Sequence, residues 1–186
     1  MDFSRRDWLV ATFGLAAFPE ILEAQKHAHG AANSGSAAAF EYLDAATAKE
    51  IGAMVERILP SDDTPGAKEA GVIYFIDRAL TTFDKDKQDA YRDGLKTVEA
   101  KRTEMFPDSA SIAALTEAQQ IELLKAVEHS DFFQLLRFHT LAGFLGDPSY
   151  GGNRDQVGWK LIGFEHSMMY QPPFGYYDRE AKEGRS

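Results

Sequence analysis

The stretch Thr47-Ala48-Lys49-Glu50-Ile51-Gly52-Ala53-Met54-Val55-Glu56-Arg57-Ile58-Leu59-Pro60 decides the fold class. Ile51, Met54, Val55, Ile58 and Leu59 recur at i, i+3, i+4, i+7 and i+8, which lays them on one stripe of an α-helix. Thr47 and Glu50 have the Thr-x-x-Glu spacing of a capping box, with Asp44 upstream as an alternative cap, and Pro60 closes the segment. A helix from Thr47 to Leu59 is therefore predicted.

Reading outward, Pro60-Ser61-Asp62-Asp63-Thr64-Pro65-Gly66 is a turn-rich loop. A second helix is expected from Ala67 to Thr82. Its apolar set (Val72, Ile73, Phe75, Ile76, Ala79, Leu80) is broad enough to make it the central, most buried one. Asp84 is expected to cap a third helix reaching Met105, with a sparse stripe of Tyr91, Leu95, Val98 and Met105 and charges elsewhere. Thr116-Glu117-Ala118-Gln119 reads as a capping box that opens a fourth helix through Val127. Asp131 begins a fifth, carrying Phe132, Phe133, Leu135, Leu136, Phe138, Leu141 and Phe144. Beyond Gly146 come a long turn-rich loop, a short apolar stretch from Leu161 to Phe164, and an aromatic, Pro-rich tail. No strand alternation of useful length occurs. The expected fold is all-α: a single compact helical domain of about five helices with a long irregular C-terminal loop and tail.

The totals agree with one domain. The chain has 186 residues, 44% of them hydrophobic. Residues 40–186 form the expected helical domain, and residues 1–39 a signal segment and linker. A body of about 145 residues is large enough for a single apolar core. The formal net charge is −9, and without a Lys/Arg cluster this argues against a nucleic-acid partner. There is no cysteine, which excludes disulfides, thiolate metal sites and Cys-ligated clusters within the chain.

Ser4-Arg5-Arg6-Asp7-Trp8-Leu9 is followed by an apolar run to Phe18. That run is too short for a bilayer span, which needs about 20 residues. The arrangement resembles the twin-arginine export motif, with Arg5 and Arg6 as the pair and Trp8 and Leu9 in its apolar positions. The resemblance implies export through the twin-arginine translocase to the periplasm. Ala37-Ala38-Ala39 offers one cleavage site; an uncleaved tether is the alternative.

Catalytic constellations are scarce. His27 and His29 lie in the linker. His129 and His139 are ten residues apart, about 1000° of helical rotation and about 15 Å of rise, so one helix does not bring both to one site. His139 reads as a hydrogen-bonded core or interface histidine. Asp84-Lys85-Asp86-Lys87-Gln88-Asp89 lacks the glycine and the distal glutamate of a calcium loop. Asp62 and Asp63 fit a helix-stop turn better than a cation site. No Gly-x-Ser-x-Gly elbow or dinucleotide loop occurs. We assign no catalytic, cofactor-binding or metal-binding residue. Tyr150, Gly151, Gly152, Asn153, Trp159, Phe174, Tyr176 and Tyr177 stand out instead as a candidate partner interface, since aromatic groups on irregular segments suit such surfaces. The alternative is that they cover the domain's own core.

Three stretches together resemble one family. They are Ile58 to Ala67 running into Ala70-Gly71-Val72 and Phe75-Ile76-Asp77; Phe132-Phe133 leading through Arg137, His139 and Thr140 to Gly143-Phe144; and Asp147-Pro148-Ser149-Tyr150-Gly151-Gly152-Asn153 with Gly158-Trp159 and Ile162-Gly163. The pattern is similar to the small subunit (subunit 3, gamma) of gluconate 2-dehydrogenase, over about residues 45–176. The resemblance implies a helical, periplasmic, non-catalytic subunit whose large partner is an FAD-dependent dehydrogenase of a sugar or sugar acid, with a cytochrome subunit as a further partner. FAD would reside in the large subunit, which the small one's leader carries out. The competing expectations are a stand-alone periplasmic enzyme or metal-binding protein using Asp62, Asp63, His139 or His166, and a helical domain that binds a small hydrophobic ligand through its aromatic tail.

Overall fold

A computed structural model describes residues 39–167 and 169. Arg5, Arg6, Trp8, Leu9, His27, His29, Phe174, Tyr176 and Tyr177 lie outside the described residues. Helix α1 (Ala45–Ile58) starts two residues before the expected point because Asp44 caps it. The Asp44 carboxylate accepts from the Thr47 amide at 2.8 Å and the Thr47 hydroxyl at 2.9 Å. Glu50 is thereby freed from a capping box and accepts the Ala113 amide at 3.0 Å, across 63 residues of chain. The stripe read from the sequence goes inward as expected: Ala48, Ile51, Met54 and Val55 are buried.

Helix α2 (Val72–Thr81) is five residues shorter at its start than expected. Gly71 adopts φ +67°, a left-handed conformation, which breaks helical geometry just before Val72. Ala67 to Gly71 form a turn instead. The helix is the central one, with Val72, Ile76, Ala79 and Leu80 shut off from solvent, and it packs against both α1 and α5. Its one buried charge, Asp77, accepts the amides of Glu41, Tyr42 and Leu43 at 2.8, 3.0 and 2.8 Å. Three hydrogen bonds to one carboxylate compensate its burial, and they strap the segment before α1 onto α2. Phe40 stacks on Tyr74 beside this strap, centroids 5.1 Å apart.

A 3₁₀ turn (Lys85–Lys87) leads into α3 (Gln88–Met105). Asp84 does not cap it by a side-chain hydrogen bond; its carboxylate turns to His139. Tyr91 and Val98 are the inward members of the sparse stripe, and the helix is otherwise mostly exposed. Arg102 is buried as well, which periodicity did not suggest. Its guanidinium is held by Glu99 and by the carbonyls of Phe106 and Ser109, just past the helix end. Helix α4 (Glu117–Val127) opens on the expected Thr116–Gln119 capping box. Helix α5 (Asp131–Leu145) is capped by the Ser130 hydroxyl, which accepts the Phe133 amide. A sixth helix, α6 (Val157–Leu161), is only five residues long and is not evident from the sequence pattern. Among the described residues there is no strand, and no helix is long and apolar enough to cross a membrane.

Candidate partner interface

Helix α5 is apolar on two opposite faces. The inward face carries Phe132, Leu136, His139, Thr140, Gly143 and Phe144, all buried. Turned about half a revolution away, Phe138, Leu141 and Leu145 sit at i, i+3 and i+7 and are exposed, Phe138 to 62%. A helix that is apolar all round is ordinarily enclosed by neighbours on every side. Here the inward half is enclosed by the fold and the outward stripe faces solvent.

The loop beyond α5 explains its own sequence. The last carbonyls of a helix lack intrahelical partners and need donors from elsewhere. Asn153 supplies two: its amide donates to the Gly143 carbonyl and its Nδ2 to the Gly146 carbonyl, both at 2.8 Å. Its Oδ1 accepts the Gly158 amide at 2.9 Å. The Trp159 indole donates to the Leu145 carbonyl. Gly152 lies so close to α5 that a Cβ there would sit 2.1 Å from the Gly143 carbonyl oxygen. The Gly-Gly-Asn and Gly-Trp elements are thus a clamp that caps α5. Asp147 opens the loop by capping a 3₁₀ turn (Pro148–Tyr150); hydrogen bonds from the side chain and amide of Ser149 hold its carboxyl below the usual range. The Arg154 guanidinium lies 4.0 Å from the centroid of the Tyr74 ring, and its amide donates to the Ala70 carbonyl at 3.0 Å. These contacts tie the clamp to the start of α2.

The residues singled out from the sequence therefore divide. Asn153 (0% exposed), Gly152 and Trp159 are taken into the fold, and Gly151 is half-buried. With no free side-chain surface, Asn153 serves the clamp rather than a docking face. Tyr150 is exposed to 50% and meets Phe83, another exposed ring, edge-on at 5.9 Å. Sequence reasoning missed Phe83, Leu145, Leu161 and Ile162 as exposed apolar groups. Phe164 packs against Trp159 at 5.1 Å and is itself partly exposed. Through Trp159, whose indole is hydrogen-bonded to the end of α5, Phe164 is tied to the clamp.

The residues of the metal-binding expectation fall elsewhere. Asp62 accepts the amide and hydroxyl of Thr64 at 2.8 and 2.9 Å, a local turn that holds its carboxyl below the usual range. Asp63 is exposed in the same turn. His166 stacks on Trp159. His139 is buried between Tyr91 and Asp84, with Nδ1 2.8 Å from the tyrosine hydroxyl and Nε2 3.1 Å from the carboxylate. A carboxylate only accepts, so Nε2 carries the proton and the Tyr91 hydroxyl donates to Nδ1. Burial pushes the imidazole below its ordinary value and the phenol well above its own, so both stay neutral. Among the described residues no three metal-ligating side chains cluster.

The architecture is that of a helical domain whose most distinctive loop caps a helix and whose helix α5 carries an exposed apolar stripe. The family described as gluconate 2-dehydrogenase subunit 3 matches residues 45–165, and the chain belongs to that family. Neither a curated protein nor a solved structure matches it.

Proposed function

We propose that this chain is the non-catalytic small subunit of a periplasmic FAD-dependent dehydrogenase acting on a sugar or sugar acid of the gluconate type. It binds the large flavoprotein subunit through the outward stripe of α5, with the exposed Tyr150 and Phe164 as further contacts, and it carries that subunit through the twin-arginine translocase. Family membership over residues 45–165 is the observation that carries the reading. The exposed Phe138–Leu141–Leu145 stripe supports it, because apolar side chains left on a helix's outer face are what a permanent partner covers. Ser4-Arg5-Arg6-Asp7-Trp8-Leu9 supports the export role. FAD belongs to the large chain, and a cytochrome subunit completes electron transfer.

Co-expression with a large FAD-dependent dehydrogenase subunit from the same genome tests this. The expected result is a stable heterodimer in the periplasm, and retention of both chains in the cytoplasm when Arg5→Lys and Arg6→Lys are combined. A chain that is exported alone and never co-purifies with a flavoprotein would overturn it.

A further inference from the structure

A half-open groove of about 270 Å³ lies where the end of α1, one face of α4 and the first half of α5 meet. It is lined by Ile58, Leu124 and Phe133 inside and by Ile121 at its mouth, with Arg57, Lys125, Arg137 and Glu128 around it. The local sequence builds it: Ile121, Leu124, Lys125 and Glu128 share one face of α4 at i, i+3, i+4 and i+7, and Phe133 and Arg137 are one turn apart on α5. Arg57 is matched by Glu117 and Glu56, which leaves Lys125 and Arg137 beside the single carboxylate of Glu128.

Two of these cations are not consumed by the fold. Among the described residues neither Lys125 nor Arg137 joins an ion pair, and Glu128 faces only His129, at 3.5 Å. Arg57 is held with 12% of its side chain exposed, its Nη1 2.9 Å from Glu117 and its Nη2 3.8 Å from Glu56. Its Nε is the one buried side-chain polar atom among the described residues without a hydrogen-bond partner.

We propose that this groove binds an organic carboxylate with a short apolar body. Arg137 and Lys125 take the carboxylate, and the body lies on Ile58, Ile121 and Phe133. The volume suits a small acid, at the low end of ligand sites. A polyhydroxylated acid has no apolar body to lay on these side chains. The site therefore differs in chemistry from the substrate of the proposed complex, and it stands whether or not that complex forms. The carboxylate comes either from a free acid or from an acidic side chain of another polypeptide.

Titration of the full chain with hexanoate, hexanol and gluconate, followed by calorimetry, tests the proposal. Saturable one-to-one binding of hexanoate that weakens as salt rises is expected, with hexanol and gluconate at least about tenfold weaker. Lys125→Gln with Arg137→Gln should weaken hexanoate about tenfold or more while leaving the unfolding midpoint unchanged. Ile121→Asp, which sets a carboxylate at the mouth, should weaken it too. Absence of saturable hexanoate binding, equal binding of hexanol, or indifference to all these substitutions would overturn the proposal. Adding hexanoate to the assembled complex separates the two sources: release of the companion chain identifies an acidic side chain, and binding without release identifies a free acid.

Discussion

Asn153 and Gly146 are joined by a hydrogen bond, 2.8 Å long, from the Nδ2 of the fully buried asparagine to the glycine carbonyl. Asn153 also sits at φ +44°, a left-handed conformation that asparagine tolerates better than most residues. Asn153→Ala removes two side-chain hydrogen bonds, strands the Gly158 amide and adds backbone strain. A loss of about 2–4 kcal/mol is expected. Denaturant unfolding should show a lower midpoint at unchanged slope. Asn153→Gly relieves the strain but not the lost bonds and should fall between the two.

How much of this was legible in the sequence depended on distance along the chain. The cap of α4 and the inward stripe of α1 were readable because each is settled within a turn or two of helix. The start of α2 was misplaced because Ala67 to Ala70 suit a helix, and only Gly71 with its left-handed backbone breaks it. The roles of Asp84 and Glu50 were hidden because their partners lie 55 and 63 residues away. At Gly152, Asn153 and Trp159 the unusual residue types were visible, but not that the carbonyls of α5 account for them. The outward stripe of α5 was masked by abundance: on a helix apolar nearly all round, periodicity does not say which face is inside.

His139 gives the fold a pH dependence of known sign. Its imidazole is pushed below its ordinary value of 6.5, chiefly by burial and further by Lys87, against the opposing pull of Asp84. Below about pH 6.5 the unfolded chain therefore takes up a proton that the folded one refuses, so stability is fully present above that pH and falls as the solution is acidified toward the folded value. Unfolding midpoints measured from pH 7.5 to pH 5 should show this decline. His139→Gln should be less stable at pH 7.5 and should lose the His139 part of the slope.

The outward stripe predicts a separation of stability from assembly. Phe138→Ser removes a mostly exposed group and should change unfolding free energy by about 0.5 kcal/mol, and Leu145→Ser, at a less exposed position, by about 1 kcal/mol. Together they should abolish co-purification with the flavoprotein. Leu136→Ala, on the buried face of the same helix, should do the reverse: lower stability by about 2–5 kcal/mol, with assembly retained by the molecules that remain folded. Size-exclusion profiles beside melting curves check all three.

Asp77→Ala should release the strap. The amides of Glu41, Tyr42 and Leu43 lose their shared acceptor, and a loss of about 2–4 kcal/mol is expected because hydrogen bonds to a charged group are the stronger kind. Hydrogen exchange at Tyr42 and Leu43 should accelerate far more than at Ile76, in the centre of α2. Equal acceleration at all three would show global unfolding instead of local release.

The same strap decides how the domain responds to tension. A pull on the N-terminus reaches Asp77 before it reaches the first turn of α1. It meets three hydrogen bonds converging on one carboxylate, which share the load rather than part singly as in a helix peeled from its end. The stacked rings of Phe40 and Tyr74 lie on the same line of force. A chain handled by its leading end is therefore gripped at a reinforced point, and the core behind it is spared until that grip fails.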